Sequence, residues 1–310
     1  MVMYILRRLA IMVPVLVGVT IVVFSILHLI PGNPAQILLR AGNPTPQQIR
    51  NLDRQLGLDG SLPSQYLRYV GQLIRGNLGY SYVSERTVAS LILSQLPYTL
   101  TLTVAALAVA LLLGIPLGAV AGTRPGGAAD RVATGIAVLA TAVPYFWLAI
   151  LLILLFAVVM HLLPALGVGS PEAIILPAVS LGVGFAAVIV RLLRNNLIEI
   201  YQEPFMLVAR SKGLSETRLL VSHAMRNAIA STVTIVGLQF GYLLAGAVTT
   251  EVIFGRPGLG SLLVSSIQEK DIPTVQGIVL LVAVTYLMVN LAVDIIHGLL
   301  DPRVRRTASS

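Results

Sequence analysis

The chain contains no cysteine and very little charge. The first absence excludes disulfides and thiolate metal sites. Its four histidines, His28, His161, His223 and His297, include no pair at helical metal-ligand spacing, so no metal site is expected. Charged residues make up 11% of the 310 positions, where soluble domains carry about 25%. A glycine-rich phosphate loop ending in Gly-Lys-Ser or Gly-Lys-Thr is missing, so the chain cannot bind ATP by that route. Paired acids within apolar segments, an arginine-rich span and a selectivity-filter-like loop are missing as well. Catalysis needs titratable groups that converge on one site, and the chain is not expected to be an enzyme.

What is present is apolar surface. Hydrophobic residues reach 56% and mean hydropathy is +0.88, which marks an integral membrane protein. The net charge of +8 invites a nucleic-acid reading. Its basic residues flank apolar segments without an aromatic-interleaved patch, so a membrane-topology bias explains them more simply.

The pattern predicts an all-α membrane protein with six transmembrane helices. After Arg7-Arg8, the run Leu9 to Ile30 is long enough to cross a hydrocarbon core of roughly 30 Å. It is longer than the core of a cleaved signal peptide, and residues 1–30 are read as a tail and a retained first span. Residues 31–98 form a long polar insert, with short amphipathic helices expected at Gln47 to Leu56 and Ser64 to Ile74. It is either a surface cap or a lid over the mouth of a pathway.

The second span is placed at Thr99 to Gly122, where Gly114, Gly118 and Gly122 form a ladder that admits a close neighbouring helix. The third runs from Val132 to about Met160, with a kink expected at Pro144. The fourth covers Ile174 to about Val190, where Gly182 and Gly184 are read as close-packing positions. The fifth covers Ala228 to Glu251, with Gly237 and Gly241 as another small pair. A short amphipathic helix is expected at Ser261 to Gln268, before a sixth span within Thr274 to Leu300 and a tail at 301–310.

Orientation follows from the basic residues. With the N-terminus inside, the inside segments hold most of the 21 lysines and arginines, while the two short outside loops hold only Arg256 and Lys270. Both termini are therefore expected in the cytoplasm and the insert outside. Candidate pathway residues are Tyr145, Phe146 and Trp147, which follow Pro144, together with Gln239 and Glu251 of the fifth span. Asp294 stands with Asn290 and His297 on one stripe of the sixth span. It is a candidate proton relay or a helix–helix bond.

One charged island interrupts the apolar chain, from Glu203 to Asn227. A helix can start at Pro204, because proline at the first helical position gives up no useful N–H. Gly213 supplies a left-handed break, and Ser215 can cap a second helix starting at Glu216. Leu207, Leu214, Leu219 and Leu220 could enter a partner's groove while Arg210, Lys212 and Arg218 orient it. The same residues could instead lie on anionic lipid.

At this island the sequence resembles the inner-membrane permeases of ABC importers. Their cytoplasmic EAA loop reads Glu-Ala-Ala, three residues, Gly, nine residues, then Ile-x-Leu-Pro. Aligned on Gly213, only Ala209 of Leu207-Val208-Ala209 matches, and the closing positions fall on His223, Met225 and Arg226 without a proline. The dipeptide/oligopeptide permease family fits much better, through Ala209-Arg210-Ser211-Lys212-Gly213-Leu214 and His223-Ala224-Met225-Arg226-Asn227-Ala228. Further agreement comes from Tyr4-Ile5-Leu6-Arg7-Arg8-Leu9, Leu29-Ile30-Pro31-Gly32-Asn33-Pro34, Gly76-Asn77-Leu78-Gly79, Leu300-Asp301-Pro302-Arg303 and the run Glu251-Val252-Ile253-Phe254-Gly255-Arg256-Pro257-Gly258-Leu259-Gly260.

The resemblance implies the type I ABC importer permease fold, with a five-helix core at 99–300 and a coupling loop at 203–227. It implies a bacterial inner-membrane protein that forms half of the pathway for di- and oligopeptides. Its partners would be a second, homologous permease, two cytoplasmic ATPases and an extracytoplasmic binding protein. ATP and Mg would be bound by the ATPases, with no cofactor in this chain. Leu207, Ala209, Arg210, Lys212, Gly213, Leu214 and Arg218 would form the coupling contact. Glutathione, nickel chelates and sugars are alternative cargoes, and an ion-gradient carrier working through Asp294 is a reading of a different class.

Overall fold

A computed structural model describes residues 2–29, 45–56 and 60–300. The side chains at 2–5, 26–29, 52–53, 55–56, 230–231, 233–236, 238–239 and 296–300 lie outside that description. The regular secondary structure of the described chain is helical apart from one two-stranded hairpin. Its elements are α1 (Val2–Leu29), α2 (Pro46–Leu56), α3 (Leu62–Ile74), β1 (Tyr80–Ser81), β2 (Arg86–Thr87), α4 (Val88–Thr123), α5 (Ala128–Ala142) and α6 (Tyr145–Leu152). They continue with α7 (Ile175–Tyr201), α8 (Pro204–Ser211), α9 (Glu216–Arg218), α10 (Met225–Ile253), α11 (Leu259–Glu269) and α12 (Ile272–Leu300). Four helical stretches are long and apolar enough to cross a bilayer: Leu6–Ser25, Val88–Thr123, Pro171–Tyr201 and Ile272–Ile295. A bent pair, Ala128–Ala142 with Tyr145–Val159, raises the number to five.

Two expectations are corrected by these helices. The apolar run at Thr99 belongs to a helix that starts eleven residues earlier, at Val88. Thr87 assists that start, since its Oγ1 accepts the Ser90 N–H. At Pro144 the third expected span does not merely kink; its halves meet at 99°. Proline cannot donate to the preceding turn, and Val143 is already extended at ψ 119°. Helix α6 therefore restarts with Pro144 as its N-cap residue, and its last turn widens into π geometry over Ile153–Val159.

The described chain divides into two compact units, one built on Thr99–Arg256 with the described residues that follow Met288, the other on the described parts of Val2–Tyr98 and on Pro257–Met288. In the first, α7 is the central helix. Leu181, Phe185, Ala186 and Ile189 of α7 pack with Leu102, Ala106 and Ala110 of α4 and with Leu243 and Ala247 of α10. The glycine ladder forms this seam. A Cβ built at Gly114, Gly118 or Gly122 would lie 2.7, 3.0 or 2.7 Å from the Cβ atoms of Ile189, Leu193 and Leu197. From the other side, a Cβ at Gly182 would meet the Ala106 carbonyl at 2.5 Å. Apolar burial gives little drive in lipid, so close approach of this kind supplies the attraction. Gly184 departs from the expected packing role, because nothing lies within 4 Å of its Cβ position.

One charged pair is built into the same unit. Asp130, in the first turn of α5, is 3% exposed. Its carboxylate accepts from Arg194 Nε and, at 2.8 Å, from Arg194 Nη2. It also accepts from the Gly126 N–H and the Thr134 hydroxyl. The fork-on-fork geometry fixes α5 to α7 in one register.

In the second unit, Phe24 of α1 meets Tyr66 of α3 edge-on at 5.5 Å. Thr20 and Tyr66 share a hydrogen bond at 2.9 Å. Gln276 donates to the Val23 carbonyl at 2.8 Å. Burial pushes the Tyr69 phenol up to about 12. Buried Asp271 precedes α12 and accepts from Ser81 and Thr274, each at 2.6 Å, which ties the hairpin to that helix start.

Candidate functional site

The basic loop begins where α7 ends at Tyr201. Glu203 is extended and acts as N-cap residue, and Pro204 opens α8 as expected. Gly213 adopts φ +76°, a left-handed value that favours glycine. Ser215 then caps α9 by accepting the Arg218 N–H. The chain continues through a π turn, Leu219–Ala224, into α10. The loop is therefore a short helix, a glycine turn and a capped helix that runs on into α10.

Its two faces differ in chemistry. Met206 and Ala209 point inward and join Leu193 and Leu197 of α7, together with Leu219, Ala224 and Ala228, in one buried cluster. Leu214 and Leu220 pack against its edge. Thus Ala209, Leu214, Leu219 and Leu220, expected to reach a partner, are engaged by the protein's own core. The outward surface of α8 carries Phe205, Leu207 and Val208, which are 42%, 61% and 54% exposed. Sequence reasoning missed Phe205 and Val208. Their three-residue spacing and the opposite pair Met206 and Ala209 were the available signal.

The charges are arranged around the turn. Arg210 donates to Glu216 through Nε at 3.0 Å and Nη2 at 3.1 Å, a two-pronged bridge across Gly213. The Glu216 carboxylate raises the Arg210 pKa by hydrogen bond and charge. Because both side chains are exposed, the pair chiefly orients the turn rather than stabilising the fold. Lys212 and Arg218 stand exposed on the same loop. The surface is therefore apolar at α8 and basic at the turn.

A second group of predicted residues lies around α6. Tyr145 lines a pocket of about 330 Å³ with Leu181, Gly184, Phe185, Val188, Tyr242, Leu243 and Gly246. Its hydroxyl donates to Thr249 Oγ1 at 3.2 Å. Phe146 and Trp147 are 46% and 48% exposed and do not line that pocket. The Gln239 side chain lies outside the described residues. Glu251 is fully buried and accepts from Thr99 at 2.6 Å, so it too lies off the pocket lining. Close by, Arg256 is 5% exposed and donates to the carbonyls of Gly167 and Ala173. It fastens the 161–173 connection to the end of α10. Asp294 is half-buried, and the His297 side chain lies outside the described residues. Among the described residues no cluster of three or more His, Cys, Asp and Glu could hold a metal ion.

The geometry describes a helical membrane core with an amphipathic loop, and known proteins resemble this chain. The family described as "Binding-protein-dependent transport system inner membrane component" matches residues 114–306. The N-terminal family of the same transport system membrane components matches residues 1–103. The dipeptide transport system permease protein of Escherichia coli (strain K12) is 37% identical over 336 residues, covering 98% of this chain and 99% of that protein. The glutathione transport system permease protein of Escherichia coli O6:H1 is 38% identical over 303 residues, covering 97% and 98%. Among solved structures, an inward-facing conformation of the MetNI methionine ABC transporter matches with TM-score 0.59 at 19% identity, over 68% of this chain and 96% of that one. An amino acid ABC transporter crystallised with histidines matches with TM-score 0.51 at 19% identity, over 69% and 94%. The two structures share the fold of the helical core.

Proposed function

Because this chain belongs to the family of binding-protein-dependent transport system inner membrane components, we propose that it forms half of the translocation pathway of an ATP-driven importer of di- and oligopeptides. The end-to-end likeness to the dipeptide and glutathione permeases carries this reading, since both named cargoes are short peptides. A second homologous permease completes the pathway. Two ATPases bind ATP and Mg, and a binding protein delivers the peptide. Six spans result when α1, α4, the α5–α6 pair, α7, α10 and α12 each cross the bilayer. The polar stretch between α1 and α4 then lies outside, and both termini lie in the cytoplasm.

In this reading the loop at 203–227 docks on an ATPase. The exposed Phe205, Leu207 and Val208 enter an apolar groove, while Lys212 and Arg218 meet acidic rim residues. The test is ATP-dependent dipeptide uptake by the five-component complex in proteoliposomes. Leu207→Asp with Lys212→Glu changes exposed positions only, so insertion should persist while uptake falls by about tenfold or more. Uptake that survives omission of the ATPases and fails in Asp294→Asn would instead establish the ion-gradient carrier.

Topology has its own test. Ser211→Cys introduces a thiol into a cysteine-free chain at an exposed position. A membrane-impermeant maleimide should label it in inverted vesicles and leave it unlabelled in intact cells. Labelling from outside would overturn the cytoplasmic placement.

A further inference from the structure

The pocket beside α6 is formed by missing side chains. Gly184 lines the space with backbone alone, and a Cβ at that position would meet nothing within 4 Å. Gly246 lets Leu181 and Tyr145 close the opposite side; a Cβ there would lie 2.5 Å from Leu181 Cδ1. Phe185, Val188 and Leu243 supply apolar surface, and no charged residue lines the space. Its polar side chains are two tyrosines. Tyr145 already donates its proton to Thr249, so its phenolic oxygen is left as an acceptor. Tyr242 is 78% exposed and stands at the rim.

The backbone points the same way. Tyr145 is the first residue of α6 after the 99° break at Pro144. Broken helices in a membrane are stable where they are buried in protein or line a cavity, and such breaks recur beside substrate sites in transporters. The volume, about 330 Å³, is at the small end of ligand pockets, which run from about 300 to 1,000 Å³. It suits one bulky side chain better than an entire oligopeptide.

We propose that this pocket is a side-chain subsite for the transported peptide, taking an uncharged apolar or aromatic residue, with Gly184 and Tyr242 setting its preference. The proposal rests on the importer reading and adds a selectivity within it. An aromatic side chain lies against Phe185 and between the tyrosines, where ring contacts favour it. A charged side chain finds no counter-charge and is disfavoured by desolvation.

Gly184→Leu fills the pocket from a position that has room for the new atoms. The complete importer, reconstituted with its partners, is assayed for ATP-dependent uptake of Phe-Phe and of Gly-Gly in parallel. The ratio of Phe-Phe to Gly-Gly uptake should fall by about tenfold or more, the range that one hydrophobic pocket can discriminate. Tyr242→Ala, a change at an exposed rim, should lower the same ratio through a raised KM for Phe-Phe. Gly135→Leu, also at a position with nothing within 4 Å, should leave the ratio as in the wild type. An unchanged ratio in both pocket variants overturns the subsite while leaving the importer intact. Absence of ATP-dependent uptake of either dipeptide by the wild-type complex overturns the importer reading, and the subsite with it.

Discussion

Asp130→Ala should destabilise the permease by about 2–3 kcal/mol. Removing one partner of a wholly buried pair costs about 3–5 kcal/mol, because the other charge stays behind uncompensated. Arg194 keeps 26% of its side-chain surface, so water recovers part of that cost and the lower range applies. The same change also strips an acceptor from the Gly126 N–H and the Thr134 hydroxyl. Thermal unfolding of the detergent-solubilised protein measures the effect. The double variant Asp130→Ala with Arg194→Met should recover much of the loss, since it leaves no orphaned charge. A double variant as unstable as the single one would show that the loss comes from the loop contacts, not from the stranded guanidinium.

Filling the glycine ladder should be comparably harmful. Gly118→Leu drives a side chain into Leu193 and the Val190 backbone, which a Cβ alone would approach to 3.0 and 3.1 Å. Overpacking of this kind costs about 1–3 kcal/mol. Gly114→Leu should behave similarly, since its Cβ would face Ile189 and the Ala186 carbonyl. The two together should exceed either alone, although not additively, because both press on α7. Protease resistance of the membrane-inserted protein gives the readout. A resistant Gly118→Leu variant would show that the α4–α7 seam can open to admit the new side chain.

These two features differ in how far the sequence disclosed them. The ladder was legible because its four-residue period is local and only glycine leaves such a groove. The loop was legible for the same reason: Pro204, Gly213 and Ser215 each dictate backbone within a few residues, and each occupies the expected place. The Asp130–Arg194 pair was not, since its partners are 64 residues apart and no local spacing links them. Gly184 looked like Gly182 in sequence. Only the neighbouring helices decide that one is filled by Ala106 and Val109 and the other left open. The burial of Leu214 and Leu219 was hidden similarly, because an amphipathic segment does not state which face its own protein covers.

The anchoring of α8 has a mechanical consequence. Met206 and Ala209 are set among Leu193, Leu197, Leu219 and Ala228, in a packing that leaves little room to yield. A load on Phe205 or Leu207 is then not absorbed by a compliant tether. It passes as strain into the ends of two helices of 27 and 29 residues. In the proposed docking, the inward residues set the stiffness of the loop and the outward ones its adhesion. Met206→Ala should therefore soften the joint without changing the exposed surface of α8.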